Sequence, residues 1–480
     1  MDLRTAVSRV FQSYDMRGIY PDEITPDIAF RVGRALAAYL EEAMRVDTGH
    51  VAVGRDMRLG SKEMACAVVH GLKAGGITPV DVGLVSCDMI YFVTGEYPDA
   101  FDGGVMITAS HNPPKYNGLK FVLAEARSID ANTGLNIIRD MVIARADEPP
   151  ADIPTPEMQR RDITAAYLQR LFSIAVEPIK PHKIVVDAGN GMAGKVFPLV
   201  AERLPCEIIP LNFELDGTFP AHHPDPSDPR NLQQLQAAVV AEKADLGVAF
   251  DGDADRVAMV DEQGDIIEGS ILTGLFAQVM LKRHPGEKVL FDLTSSLTVD
   301  DCVREAGGVP MVAPVGHSRI KERMRKVNAL FGGEVSGHYY FRDFYYCDSG
   351  MLGALLALEV LSATDEPLSA LVDPLRRRYQ RAPLCNLELD SREAALERVR
   401  HIDRQFPDAE ARRVTRIGPD VRKDYDDWWF CVRPSGTEPR VLRLTVEARS
   451  RAVADHRVAE LKALILSTAN LPQVSEPAGG

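Results

Sequence analysis

Short apolar runs alternate with Ala-rich helical stretches along most of the chain, and glycines punctuate the pattern. Val51-Ala52-Val53 leads through Gly54-Arg55-Asp56 into a helical stretch ending at Gly75-Gly76. Ile184-Val185-Val186 leads through Asp187-Ala188-Gly189-Asn190-Gly191 into a helix over 196–204. Val289-Leu290-Phe291 leads through Asp292-Leu293-Thr294 into a helix ending at Gly307-Gly308. Buried-strand runs followed by helices predict βαβ units and mostly parallel sheets. Three similar units imply a repeated domain type. From about residue 380 the style changes. The run 441–446 alternates as a half-buried strand does, and a helix follows over 453–466, predicting an α+β domain.

Breaks in the pattern suggest the boundaries. A Pro-rich stretch spans 148–156, a polar turn spans 261–265, and an Arg-rich stretch over 374–378 precedes Pro383. They divide the chain into 1–155, 156–262, 263–375 and 376–470, with 471–480 read as a disordered tail. A chain of 480 residues predicts about three to five domains, in line with that division.

Composition narrows the function. Apolar residues make up 45% and charged residues 26%, as in an ordinary globular protein. A net charge of −14 argues against coating nucleic acid or an anionic membrane, but leaves room for a local basic pocket that binds a small anion. The seven cysteines include no CxxC pair and read as free buried thiols in a reducing compartment. Met1-Asp2-Leu3-Arg4 opens into polar sequence without an apolar signal core, and the apolar stretch over 351–361, broken by Glu359, is too short to span a bilayer. These features predict a cytoplasmic protein.

Four stretches carry candidate chemistry. In Asp251-Gly252-Asp253-Ala254-Asp255-Arg256, flanked by apolar strands, alternate carboxylates fall on one side of an extended loop. Three crowded like charges call for a cation, and all-oxygen ligands favour Mg²⁺ or Ca²⁺ over Zn²⁺. An EF-hand loop would place Glu262 at its twelfth position, but its sixth needs Gly and holds Arg256. In Thr108-Ala109-Ser110-His111-Asn112-Pro113, a serine among small residues at a strand end is accessible as a nucleophile or phosphoryl carrier; the Gly-x-Ser-x-Gly elbow of an esterase is absent, and Lys115 and Lys120 add positive charge. Arg433-Pro434-Ser435-Gly436-Thr437-Glu438-Pro439-Arg440 gathers guanidinium, hydroxyls and glycine in one loop, which suits a phosphate dianion but lacks the nucleotide P-loop pattern. In Gly333-Glu334-Val335-Ser336-Gly337-His338, Glu334 and Ser336 point the same way in an extended segment and suit sugar hydroxyls, and His338 offers an acid or base. Tyr14-Asp15-Met16-Arg17 and Gly316-His317-Ser318 add an Arg and a His in turns.

Together these stretches resemble the α-D-phosphohexomutases, within them the phosphomannomutase/phosphoglucomutase group, with four motifs in the family order from Phe11 to about Leu466. The resemblance implies an α/β architecture of three similar mixed α/β domains and a smaller C-terminal α+β domain around a central cleft. It implies a phosphoserine at Ser110 and Mg²⁺ held by Asp251, Asp253, Asp255 and a phosphoryl oxygen on Ser110. Arg433, Ser435, Gly436, Thr437 and Arg440 would hold the substrate's non-reacting phosphate. Glu334, Ser336 and His338 would meet the sugar, with Arg17, His111 and His317 nearby. Lys120 and Arg256 would offset charge on the transferring group, and Lys120 or His338 would be the general base. The implied reaction interconverts hexose 1- and 6-phosphates, mannose and glucose, through a hexose 1,6-bisphosphate that also serves as activator. A phosphoglucosamine mutase, a phosphosugar phosphatase and a silent sugar-phosphate sensor are the alternatives. A small-molecule substrate, no nucleic-acid or membrane partner, and a monomer or weak homodimer are expected. One departure stands out: Asp292-Leu293-Thr294-Ser295-Ser296 lacks the Lys that related enzymes often carry there.

Overall fold

The computed structural model describes residues 2–45, 49–150, 153, 159–435, 438 and 440–467. The expectations for Gly436, Thr437 and the tail 471–480 lie outside the described residues. Within them the chain forms four sheets.

The first three sheets share one plan. In the first, His50–Arg55 lies between the parallel strands Thr78–Leu84 and Gly103–Ile107, and Tyr116–Leu123 returns antiparallel to Gly103–Ile107. In the second, Lys183–Asp187 lies between Glu207–Leu211 and Leu246–Phe250, and Val257–Asp261 returns antiparallel. In the third, Lys288–Asp292 lies between Val309–Ala313 and Phe331–Gly333, and Tyr339–Phe341 returns antiparallel. The three predicted strand–helix units are the start of each plan, with helices at Ser61–Ala74, Ala193–Ala201 and Leu297–Glu305. In every case the loop between the third strand and its antiparallel return carries a candidate motif: Ser110, then the aspartates, then Glu334 and His338. One supersecondary device is thus used three times to present chemistry at the carboxyl end of a parallel strand.

Short strands extend these sheets. Gln159–Arg160 pairs with Thr78–Leu84 in the first sheet, and Ile266–Ile267 folds back across the turn at 261–265 onto Val257–Asp261. The fourth sheet is antiparallel, with Val441–Ala448 between Trp428–Pro434 and Gln380–Arg381, as the alternating pattern predicts. Pro374, placed in a linker by the sequence pattern, lies inside the helix Leu368–Arg376.

One apolar core runs through the first three domains, whereas the fourth has its own. The helix Gly350–Ser362 is buried along its whole length, which explains its largely apolar sequence. Its Glu359 accepts a hydrogen bond from the Glu177 backbone and meets Arg283 at 3.3 Å, so the buried carboxylate is partnered. Among the described residues no helix is long and apolar enough to cross a membrane. All seven cysteines are free; Cys87, Cys302, Cys347 and Cys431 are buried, and Cys66, Cys206 and Cys385 are half-buried.

Candidate active site

Ser110 stands at the tip of the first hairpin with φ 49°, a left-handed conformation that costs a non-glycine residue about 1–2 kcal/mol. The surrounding bonds hold it there. Its backbone N–H donates to Thr108 Oγ1 at 2.8 Å, and its carbonyl accepts from Arg58 Nη2 at 2.6 Å. Arg58 also donates to the carbonyls of Asn112 (2.6 Å), Pro113 (3.0 Å) and Tyr116 (3.1 Å), so one buried guanidinium fixes the whole loop. Its guanidinium lies 4.7 Å from the centre of the Phe219 ring in the second domain.

The aspartate loop docks directly on this turn. A Cβ on Gly252 would lie 2.5 Å from the Ser110 carbonyl oxygen, so only glycine allows the two backbones to approach. Ser110 Oγ donates to Asp251 Oδ2 at 2.8 Å and lies 3.2 Å from His111 Nδ1. Arg256 Nε holds the same Asp251 oxygen at 3.1 Å, and Arg256 Nη1 reaches Asp225 at 3.2 Å. Lys120, on the return strand, bridges Asp253 (2.8 Å) and Asp255 (2.6 Å). Arg17 donates to Asn112 Oδ1 at 2.6 Å and pairs with Asp15 at 2.8 Å.

The third loop closes on the same cluster. His338 lies 3.6 Å from Asp255, 3.2 Å from Glu334 and 3.8 Å from Asp348, and Ser336 Oγ lies 3.0 Å from its Nδ1. Glu334 accepts from Tyr340 Oη at 2.5 Å and from the Gly316 backbone N–H at 3.0 Å. His317 stacks on His338 with ring centres 6.2 Å apart, and its buried Nδ1 has no hydrogen-bond partner among the described residues.

Burial and neighbouring charges together set the protonation states. Burial raises the Asp251 carboxyl, and the charges of Asp255 and Asp253 raise it further. Burial also opposes ionisation of Asp255, but Lys120 and His338 outweigh it and hold Asp255 well below the ordinary range. Burial opposes the charge on Lys120, yet Asp253 and Asp255 push it well above its ordinary value. Likewise His338 is pushed up to about 10, burial being overcome by the neighbouring Asp255 and Glu334 carboxylates. His111 is the opposite case: burial, then Arg256 and Arg17, hold it neutral. His317 is held neutral by burial and then by the charge of Lys321.

The donor set fits a hard divalent cation. The Asp253 and Asp255 carboxylates and the Cys87 sulfur come within 4.8 Å of one another, and each of the two carboxylates keeps a buried Oδ1 without a hydrogen-bond partner among the described residues. Unpartnered buried carboxylate oxygens are costly unless a cation takes them. Asp251 is turned towards Ser110 and Arg256. Glu262, the twelfth position of the rejected EF-hand, instead accepts from the Ser369 backbone N–H at 3.1 Å.

Arg440 pairs with Glu388 at 3.0 Å and donates to the Leu389 carbonyl, inside its own domain. Ser435 is buried, and its Oγ accepts from the Glu438 backbone N–H. Arg433 lies near Asp420, whose carboxyl burial pushes up to about 6 against the pull of Arg433 and Arg319. The stretch 292–296, without the expected Lys, is occupied by the fourth domain: Arg422 donates to the carbonyls of Leu293 and Ser295, and Arg381 to that of Thr294.

Sequence reasoning missed several parts of the site. Arg58, Asp225, Asp348 and Lys321 belong to no motif. Lys321 lies 2.6 Å from Asp348 and over the Tyr91 ring, completing the charge network behind His338. Their partners lie far away in the chain, so no local spacing marks them.

Comparison with known proteins identifies the family. Family models described as phosphoglucomutase/phosphomannomutase, alpha/beta/alpha domains I, II and III, match residues 8–146, 165–264 and 268–379, and the C-terminal domain model matches 384–464. The chain is 41% identical over 458 residues to the phosphohexose mutases of Xanthomonas campestris pv. campestris, covering 95% of this chain and 98% of the relative. It is 38% identical over 447 residues to the phosphomannomutase of Escherichia coli, covering 92% and 94%. The crystal structure of a phosphoglucomutase/phosphomannomutase family protein from Burkholderia thailandensis superposes with a TM-score of 0.84 at 31% identity, covering 98% of this chain and all of that one. The chain therefore belongs to the phosphoglucomutase/phosphomannomutase family and is an enzyme of the mutase class, an intramolecular phosphotransferase.

Proposed function

We propose that the enzyme interconverts the 1- and 6-phosphates of mannose and glucose, carrying the phosphoryl group on Ser110. The observation that most supports this reading is the Ser110 hydroxyl itself. It is held in a strained turn and hydrogen-bonded to Asp251, and the charges of Arg256, Arg17 and Lys120 all reach the adjacent His111.

In the first half-reaction a free sugar hydroxyl bonds to phosphorus as the bond from phosphorus to Ser110 Oγ breaks. The product is a hexose 1,6-bisphosphate. In the second half-reaction Ser110 Oγ attacks the other phosphoryl group and the sugar leaves with one phosphate. Asp251, Asp253 and Asp255, with a phosphoryl oxygen, would hold Mg²⁺, which when bound supplies charge stabilisation at the transferring oxygens. Arg256 and Lys120 add fixed positive charge to the same oxygens.

The proton inventory is specific. Ser110 Oγ has two acceptors within reach, Asp251 and neutral His111, to take its proton when it attacks. Lys120 and His338 both rest protonated on Asp255. Each is set to donate a proton, and accepts one from the sugar hydroxyl only after its carboxylate neighbour is engaged elsewhere. Glu334 and Ser336 would read sugar hydroxyls, and Arg433, Ser435, Gly436, Thr437 and Arg440 the distal phosphate. This last role requires the fourth domain to bring Arg440 away from Glu388.

Glu334 and Ser336 are assigned to hydroxyls configured alike in glucose and mannose, and the bisphosphate must bind in two orientations. A site tolerant of reversal is not fitted tightly around carbon 2. Glucose 1-phosphate and mannose 1-phosphate should therefore be converted with kcat/KM within roughly a hundredfold, about 2.7 kcal/mol. N-acetylglucosamine 1-phosphate should be poorer. A clear preference for the N-acetylated sugar would overturn the substrate assignment.

A further inference from the structure

A cavity of about 480 Å³ opens where the first domain meets the second. That volume lies within the range of small-molecule sites, and domain interfaces are a preferred place for them. It forms at the carboxyl ends of the parallel strands His50–Arg55 and Thr78–Leu84, beside the bulge where the pairing of Val53 with Asp81 skips to that of Gly54 with Gly83. In open α/β sheets this is the edge where ligands bind.

The cavity is distinct from the Ser110 site. Arg55 and Asp56 are consecutive, so their side chains leave opposite faces of the extended backbone. Asp56 turns to Arg58 and Ser61, which support the Ser110 loop, while Arg55 lines the cavity.

One half of the wall is apolar, with Val82, Met89, Leu168, Val196 and Leu199. The other half is cationic. Arg55, Arg160, Arg161 and Lys195 face only Asp81 and Asp162. Arg160 spends itself on Asp81 at 3.3 Å. The Arg161 guanidinium lies over the Tyr97 ring at 4.3 Å, and Lys195 Nζ donates to the Leu84 carbonyl at 2.6 Å. Among the described residues Arg55, Arg161 and Lys195 have no carboxylate within 4 Å. Arg55 is also close enough to Lys195 for its charge to help depress that ammonium's pKa, after burial. Like charges gathered on a concave wall attract a counter-anion, and a guanidinium fork with an ammonium suits a phosphate better than a single carboxylate.

We propose that this cavity is an accessory binding site for a small phosphomonoester with an apolar or aromatic body, its phosphate held by Arg55, Lys195 and Arg161 and its body against Val82, Met89 and Leu199. Aliphatic and ring carbons would meet the apolar half while the dianion neutralises the cationic half. A site reading both features discriminates against inorganic phosphate, which lacks the body, and against a neutral aromatic alcohol, which lacks the charge.

The test is calorimetric titration of the full chain with phenylphosphonate, whose C–P bond cannot be transferred, in the presence of saturating glucose 1-phosphate. One equivalent should bind with a Kd below about 1 mM, while phosphate alone and benzyl alcohol alone bind on the order of tenfold more weakly or not at all. Lys195→Gln and Arg55→Met should each weaken phenylphosphonate binding by on the order of tenfold, with unchanged thermal unfolding. Lys195 sits on a helix surface, so its variant keeps the test valid if Arg55→Met fails to fold. Absence of saturable binding, displacement of the probe by glucose 1-phosphate, or equal binding to the Lys195→Gln protein would each overturn the proposal.

Discussion

Arg58 is the residue whose removal should separate folding of the site loop from its chemistry. Its side chain is fully buried and donates to four backbone carbonyls of the Ser110 loop, and Nε lies 3.5 Å from buried Asp56. Arg58→Met keeps the apolar stem and deletes every one of these bonds. It also leaves the Asp56 carboxyl buried without its cation; burial already raises that carboxyl, and Arg58 is the largest opposing influence. Hydrogen bonds from a charged donor contribute about 1.5–3 kcal/mol each, but these share one donor group and do not add. Breaking a buried pair costs about 3–5 kcal/mol, and that is the expected loss for the variant. Ser110 holds a left-handed turn costing about 1–2 kcal/mol, so a loss of this size is enough to release it. A displacement of about 1 Å should then lower kcat on glucose 1-phosphate by about a hundredfold. The assays are kcat, and hydrogen exchange over residues 108–116, which should quicken. The double variant Asp56→Asn/Arg58→Met should regain stability relative to Arg58→Met, because no unpaired charge remains, but not activity. A kcat within about threefold of wild type together with unchanged exchange would refute the clamp.

Chelation should abolish mutase activity and added Mg²⁺ restore it, and Asp253→Asn should raise the Mg²⁺ concentration needed while lowering the rate; full activity in thorough chelator would show that the aspartates only shape a turn. Asp88 joins three domains, accepting from Ser86, Tyr167 and Ser349, and burial pushes its carboxyl up to about 6. Its contribution to stability is therefore full below the ordinary carboxylate range and is lost as pH rises through 6, about 3 kcal/mol in all. Urea unfolding of wild type and Asp88→Asn should show their stability difference shifting by roughly 1 kcal/mol between pH 5 and 8, against the wild type at the higher pH. A difference that does not vary with pH would refute the assignment.

The repeated α/β plan was legible because buried parallel strands leave unbroken apolar runs, and glycine pairs follow the helices of the first and third units. The antiparallel returns were less so: Tyr339–Phe341 and Cys347–Asp348 are too short to show a period. This hid the finding that all three domains place their motifs in the same hairpin. Ser110, Asp251, Asp253, Asp255 and Lys120 could be picked out as candidates from composition at short spacing together with the family resemblance, and the structure brings them together. Arg58 could not, since a lone arginine after a strand usually faces solvent, and the carbonyls it serves lie 52 to 58 residues onward. The protonation of Lys120 and His338 was equally hidden, because each depends on sharing Asp255, a contact between domains. The absence of Lys near Thr294 gained a physical account only when Arg381 and Arg422 were found on the neighbouring carbonyls.

The central claim is that Ser110 carries the phosphoryl group, and intact mass of the purified enzyme with and without hexose 1,6-bisphosphate tests it most directly. The bisphosphate should leave one added phosphoryl group per chain, peptide mapping should place it on Ser110, and Ser110→Ala should show neither the added mass nor turnover. Stable phosphate on another residue, or a Ser110→Ala protein that still converts glucose 1-phosphate, would contradict the account.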